Sequence, residues 1–151
     1  MQIKIGSKAK SFELPDENEQ KVSLKKFLGQ YVVLYFYPKD NTPGCTTEAC
    51  AIRDDYSVFN KMKIKVIGVS GDTSTSHIKF KEKFDLPFTL LSDKDGSVLE
   101  KYNASEQGGK RKTYIIDPAG IVVKKYNKVS PATHSKELIE DIKKLKEEKG
   151  E

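Results

Sequence analysis

Residues Tyr31 to Tyr37 read Tyr-Val-Val-Leu-Tyr-Phe-Tyr, an unbroken apolar run closed by Pro38. A strand without polar alternation has to be covered on both faces, so the chain needs a central sheet with a layer on either side. After a polar loop from Lys39 to Gly44, the residues Cys45, Ala49, Ile52, Tyr56 and Phe59 recur at steps of four, three, four and three. That period predicts one amphipathic helix. Val66-Ile67-Gly68-Val69, within Lys63 to Ser70, predicts a second buried strand, and Ile78, Phe80 and Phe84 place a helix over Ser74 to Phe84. Such alternation implies parallel strands joined by right-handed crossovers.

The pattern then changes. Phe88 to Leu91 predicts a short strand and Ser97 to Tyr102 a helical turn, while Gly108-Gly109 marks a loop. Thr113 to Asp117 and Ile121 to Tyr126 flank Pro118-Ala119-Gly120 and predict an antiparallel hairpin. Ser135 to Lys149 closes the chain as a helix with Leu138, Ile139, Ile142 and Leu145 on one side. Phe12 to Val22, turning at Asp16-Glu17-Asn18, predicts an added hairpin, with a short helix near Ser23 to Leu28. The expected class is α/β: a single thioredoxin-like domain over residues 1–151, with a central mixed sheet, helices on both faces and an N-terminal β-hairpin extension. In open sheets of this kind ligands bind beyond the carboxyl ends of central strands, where Pro38 to Cys45 lies.

Composition narrows the function. With 36% hydrophobic and 32% charged residues, the chain suits a well-charged soluble fold. The net charge of +5 comes from 27 basic residues spread among 22 acidic ones. Lys143, Lys144, Lys146 and Lys149 are interleaved with Glu140, Asp141, Glu147 and Glu148, which describes a solvated helix face rather than a nucleic-acid surface. Met1 to Phe12 has no apolar signal core, and no stretch approaches the roughly 18 apolar residues of a membrane span. A cytoplasmic protein is expected, with neither nucleic acid nor membrane as partner. Two cysteines five positions apart in such a chain read as a reactive pair, because intracellular reductants keep ordinary thiols reduced.

A free thiol with a pKa of about 8.5 is mostly protonated at neutral pH, and the thiolate is the nucleophile. Cys45 starts the predicted helix, where unpaired N–H groups and the helix dipole favour negative charge. Thr42 can offer a hydroxyl to the sulfur or to a bound oxygen, while Pro43 and Gly44 permit a tight backbone approach. Cleaving an O–O bond puts charge on the departing oxygen, which a cationic donor would stabilise. The chain has two arginines. Arg53 lies two turns along the Cys45 helix, and Arg111 stands just before the strand near Thr113.

Five residues of ideal helix put the Cα atoms of Cys45 and Cys50 about 8 to 9 Å apart, whereas a disulfide needs less than about 7 Å. If both lie in regular helix, bonding between them requires local unwinding. Two other readings exist: a protein disulfide reductase, which normally uses Cys-x-x-Cys, and a binding module with inert cysteines. A closed zinc site needs about four ligands, and His77 and His134 are remote from the pair in sequence, each reading as a surface or helix-end residue.

Pro38, Thr42 and Cys45 resemble the peroxiredoxin signature Pro-x-x-x-Thr-x-x-Cys, and the continuation to Cys50 is similar to the bacterioferritin-comigratory-protein, or PrxQ, branch. The resemblance covers nearly the whole chain, including Gly6 to Leu14, the Tyr-Phe-Tyr-Pro strand end, Arg53-Asp54, and Arg111-Lys112-Thr113-Tyr114. It implies a thiol-dependent peroxidase acting on hydrogen peroxide and organic hydroperoxides. Cys45 would be the nucleophile, passing through a sulfenic acid, and Cys50 the resolving thiol of an intramolecular disulfide. Thr42 and Arg111 would orient peroxide and stabilise the departing oxygen, Pro38 would shield the thiolate, and Arg53 and Glu48 would support. A thioredoxin or thioredoxin-like disulfide reductase is the implied partner and a monomer the implied state, with no metal, haem or flavin cofactor.

Overall fold

The computed structural model describes residues 3–105 and 109–150; Gly108 of the expected loop lies outside the described residues. Five strands form the main sheet in the order β5-β4-β3-β6-β7. They are β3 (Tyr31–Phe36), β4 (Ile64–Ser70), β5 (Thr89–Ser92), β6 (Lys112–Ile116) and β7 (Val122–Tyr126). β3, β4 and β5 run parallel, and β6 and β7 are antiparallel to their neighbours. The N-terminal hairpin, β1 (Glu13–Pro15) with β2 (Lys21–Ser23), is a separate two-stranded sheet, and a 3-10 turn follows at Leu24–Phe27. This is the expected thioredoxin-like α/β arrangement.

The apolar run of β3 is buried at every position, and its pleat divides it between two cores. Tyr31, Val33, Tyr35 and Tyr37 face the core shared with Ala49 and Ile52 of α1 (Pro43–Asp54), Phe59 of α2 (Tyr56–Lys61), Phe80 of α3 (Ser74–Phe84) and Leu138 of α5 (His134–Glu148). Val32, Leu34 and Phe36 face the other core, with Leu14 and Val22 of the hairpin and Val98 of α4 (Ser97–Lys101). Alternate side chains of an interior strand point to opposite faces, which is why one such strand organises both layers. The helices are unevenly divided: the longer ones cover one face, and the hairpin with α4 covers the other.

Gly68 in β4 has a packing reason. A Cβ there would come within 2.9 Å of Tyr35 Cζ and of Leu90 Cδ2, so the absence of a side chain lets the Tyr35 ring lie across the sheet. The helix expected from Cys45 through Phe59 is broken. α1 stops at Asp54, Asp55 leaves helical geometry at φ −98° and ψ 7°, and α2 resumes at Tyr56. The Asp55 carboxylate accepts from Ser135 Oγ (2.8 Å) and Lys136 Nζ (3.3 Å) at the start of α5, a tertiary tie that local periodicity does not reveal. No helix of the described residues is long and apolar enough to cross a membrane.

Candidate active site

β3 ends in the loop that leads into α1, beyond the carboxyl end of the central strand. Thr42 is the N-cap residue of α1, with extended backbone (φ −96°, ψ 157°), and Pro43 takes the first helical position, where a missing N–H costs nothing and the fixed φ suits the helix. The first intrahelical bond runs from Thr46 N to Thr42 O (2.8 Å), so the N–H groups of Gly44 and Cys45 precede it and remain available at the helix start. Cys45 is 2% exposed, and both cysteines are free thiols.

Arg111, at the threshold of β6, reaches across to this helix start. Its Nη2 lies 3.2 Å from Cys45 Sγ, and its Nη1 donates to Glu48 Oε1 at 2.5 Å. Gly44 leaves room for the approach: a Cβ there would stand 3.1 Å from Arg111 Nη2. Glu48 lies three residues after Cys45 and is 1% exposed. Burial pushes its carboxyl up to about 7 against the opposing pull of Arg111, and its Oε2 has no hydrogen-bond partner among the described residues. Burial works against the Arg111 cation, yet Glu48 and the thiol outweigh it and hold the guanidinium above its ordinary range.

The Thr42 hydroxyl donates to the Lys39 carbonyl at 2.9 Å. With its proton engaged there, the oxygen presents lone pairs to any O–H that enters the loop. Pro38 and Pro43 are exposed. A cleft of about 270 Å³ opens beside Pro38, lined by Tyr37, Pro38, Leu99 and Ala104 among others.

The other expected participants are placed as follows. Cys50 is half-buried on the same regular helix as Cys45. Arg53 is directed away from the thiol, donating to the Phe84 carbonyl (2.8 Å) and pairing with Asp54 (3.0 Å). Both histidines are buried rather than on the surface, and His134 opens α5, the helix-end position its reading allowed. His134 bonds Glu137 (2.9 Å) and Thr113 Oγ1 (2.8 Å), and burial lowers its basicity in spite of Glu137. His77 bonds Asp40 Oδ2 at 2.7 Å and the Leu91 carbonyl at 3.0 Å.

Two features were not legible beforehand. The contact of Glu48 with Arg111 spans 63 positions, although its i+3 spacing from Cys45, which sets both on one helix face, was a usable sign. The Asp40–His77 pair spans 37 positions and left no local trace. Asp40, Asp72 and His77 bring their ligand atoms within 4.8 Å of one another. Asp40 Oδ2, Asp72 Oδ2 and His77 Nδ1 already take part in hydrogen bonds inside this cluster, which is a closed polar network rather than a cage.

Residues 5–125 match the AhpC/TSA family. Peroxiredoxin Bcp of Bacillus subtilis is 40% identical over 156 residues, covering 97% of this chain and 99% of that protein. The chloroplastic peroxiredoxin Q of Oryza sativa subsp. japonica is 44% identical over 148 residues, covering 95% of this chain and 68% of that one. The crystal structure of a cysteine-to-serine mutant of PrxQ from Xylella fastidiosa superposes with a TM-score of 0.89 at 28% identity, covering 96% of this chain and 98% of the other. With a buried helix-start thiol faced by Arg111 and matches of this extent, the chain belongs to the AhpC/TSA family and, within it, to the Bcp/PrxQ peroxiredoxins, which are thiol-dependent peroxidases.

Proposed function

We propose that Cys45 is the peroxidatic nucleophile of this enzyme and Cys50 its resolving partner, a reading carried by the 3.2 Å contact between Arg111 Nη2 and Cys45 Sγ at the start of α1. The Cys45 thiolate attacks one oxygen of ROOH in line with the O–O bond. The S–O bond forms as the O–O bond breaks, RO⁻ departs, and Cys45 is oxidised to sulfenic acid while the peroxide is reduced. Arg111 and the free N–H groups of Gly44 and Cys45 stabilise charge on the oxygens, and RO⁻ leaves as ROH after taking a proton. Thr42 accepts a hydrogen bond from the peroxide O–H. Glu48 holds Arg111 on the site.

The Cys50 thiol then condenses with the sulfenic acid, forming the disulfide and releasing water. Both residues lie in regular helix, about 8 to 9 Å apart at Cα, so α1 must unwind locally before the sulfurs meet. An external dithiol reopens the disulfide by exchange, and a thioredoxin-like reductase supplies it. Hydrogen peroxide and organic hydroperoxides share the bond that is broken, so both classes are read as substrates. The same reading takes the enzyme as a cytoplasmic protein, and as a monomer because the resolving thiol is in the same chain.

The test is loss of hydrogen peroxide coupled to thioredoxin and its reductase, comparing wild type with Cys45→Ser. Turnover that vanishes in the variant supports the assignment; turnover that survives moves the nucleophile elsewhere. Insulin reduction with dithiothreitol separates this enzyme from a protein disulfide reductase, which would accelerate it.

A further inference from the structure

Asp40 sits midway between Pro38 and Thr42 and is held from several directions. Its Oδ1 accepts from Tyr37 Oη (2.7 Å), and its Oδ2 accepts from Ser76 Oγ (2.8 Å) and faces His77 Nδ1 (2.7 Å). Its backbone N–H donates to Asp72 Oδ2 (2.8 Å), which also accepts from Ser70 Oγ (2.7 Å). His77 is itself clamped. Its Nε2 faces the Leu91 carbonyl, which can only accept, so that nitrogen carries a proton. Its Nδ1 stands 2.7 Å from Asp40 Oδ2, within hydrogen-bond distance. The side chains of the pair are 0% and 3% exposed, so the link is shielded from competing water.

What this anchor holds is the turn that aims Thr42. Asn41 adopts a left-handed conformation (φ 59°), which asparagine tolerates better than most residues, and the chain reverses there. Across the reversal Thr42 Oγ1 donates to the carbonyl of Lys39, the residue before Asp40. The orientation of the Thr42 hydroxyl therefore follows from where Asp40 is pinned.

We infer that Asp40 and His77 form a positioning pair that acts through Lys39 and Thr42 to aim the Thr42 hydroxyl at the peroxide, an inference that rests on the peroxidase reading of Cys45. Neither residue touches the reacting atoms. The pair should govern reaction with peroxide, which needs Thr42, and leave simple alkylation of the thiol alone.

The experiment compares Asp40→Asn, Tyr37→Phe and His77→Leu with wild type by stopped-flow oxidation of Cys45 with hydrogen peroxide and by its alkylation rate with iodoacetamide, in the Cys50→Ser background. The expected result is a peroxide rate lowered roughly ten- to a hundredfold in Asp40→Asn and His77→Leu, several-fold in Tyr37→Phe, and alkylation within about twofold of wild type. His77→Asn, which restores a donor to Asp40, should recover a substantial part of the rate. In a Thr42→Val background Asp40→Asn should add little further loss, because both act on the same hydrogen bond. Equal loss in both reactions, an unchanged peroxide rate, or a full additional loss in the Thr42→Val background would overturn the inference. A wild-type thiol that alkylates but ignores peroxide would overturn the peroxidase reading beneath it.

Discussion

Arg111 Nη2 lies 3.2 Å from Cys45 Sγ although 66 positions separate the two residues in the chain. The strand β6 is antiparallel to β3, with Lys112 opposite Phe36, so the residue just before β6 emerges where β3 hands over to the active loop. Topology thus delivers a cation to a thiol that no local pattern could place beside it.

Arg111→Met should slow oxidation of Cys45 by about a hundredfold, the usual scale for removing one donor aimed at developing oxyanion charge. Arg111→Lys should recover only part of this, because a single ammonium lacks the two-pronged reach to Cys45 and Glu48. Stopped-flow measurement of the oxidation step, free of the recycling reductant, reads both. A lysine variant as fast as wild type would show that charge alone suffices.

Gly44→Ala should leave stability within about 1 kcal/mol, since alanine is the better helix former. Its methyl would press on Arg111 Nη2 at 3.1 Å and displace the guanidinium from the sulfur. A several-fold lower peroxide rate in a protein that melts normally is the expected outcome. An unchanged rate would mean that the arginine can shift without loss.

Glu48 carries a pH signature. Burial raises its carboxyl from an ordinary 4.5 to about 7, so the folded protein binds this proton more tightly than the unfolded chain. Its contribution to stability is full below about pH 4.5 and is lost as pH rises through about 7. The span corresponds to on the order of 3 kcal/mol. Denaturant unfolding at about pH 5 and pH 8 should show a larger drop in wild type than in Glu48→Gln, where no proton is released. Equal drops in the two proteins would contradict a raised Glu48.

If the cysteines must leave the helix to meet, oxidation should open the first turns of α1. Amide exchange of residues 44–50 should accelerate in the disulfide form, while β3 and β4 stay protected. Unchanged protection over 44–50 would require a disulfide formed without unwinding, which regular helix geometry forbids.

How much of this was legible depended on the range of each interaction. The seven-residue apolar run from Tyr31 to Tyr37 announced a doubly covered strand because burial on both faces erases alternation, and the four-three steps from Cys45 placed α1 because its core face is local. The break at Asp55 was hidden: Tyr56 and Phe59 continue the apolar face across it, and the partner that holds the Asp55 carboxylate is the distant Ser135. Position alone left Arg53 and Arg111 level, because the choice depends on strand order, and it was the family resemblance that favoured Arg111. The burial of the histidines was hidden for the same reason. A buried imidazole differs from an exposed one only in its partners, here Asp40 and Thr113, which lie far along the chain.

The most direct test of the account is to expose the reduced protein to an equimolar amount of hydrogen peroxide and map the cysteines by mass spectrometry, beside Cys50→Ser treated with dimedone. A Cys45–Cys50 disulfide is expected in the wild type, and a dimedone adduct confined to Cys45 in the variant. Oxidation that appears first at Cys50, or a Cys45 left unmodified while peroxide is consumed, would contradict it.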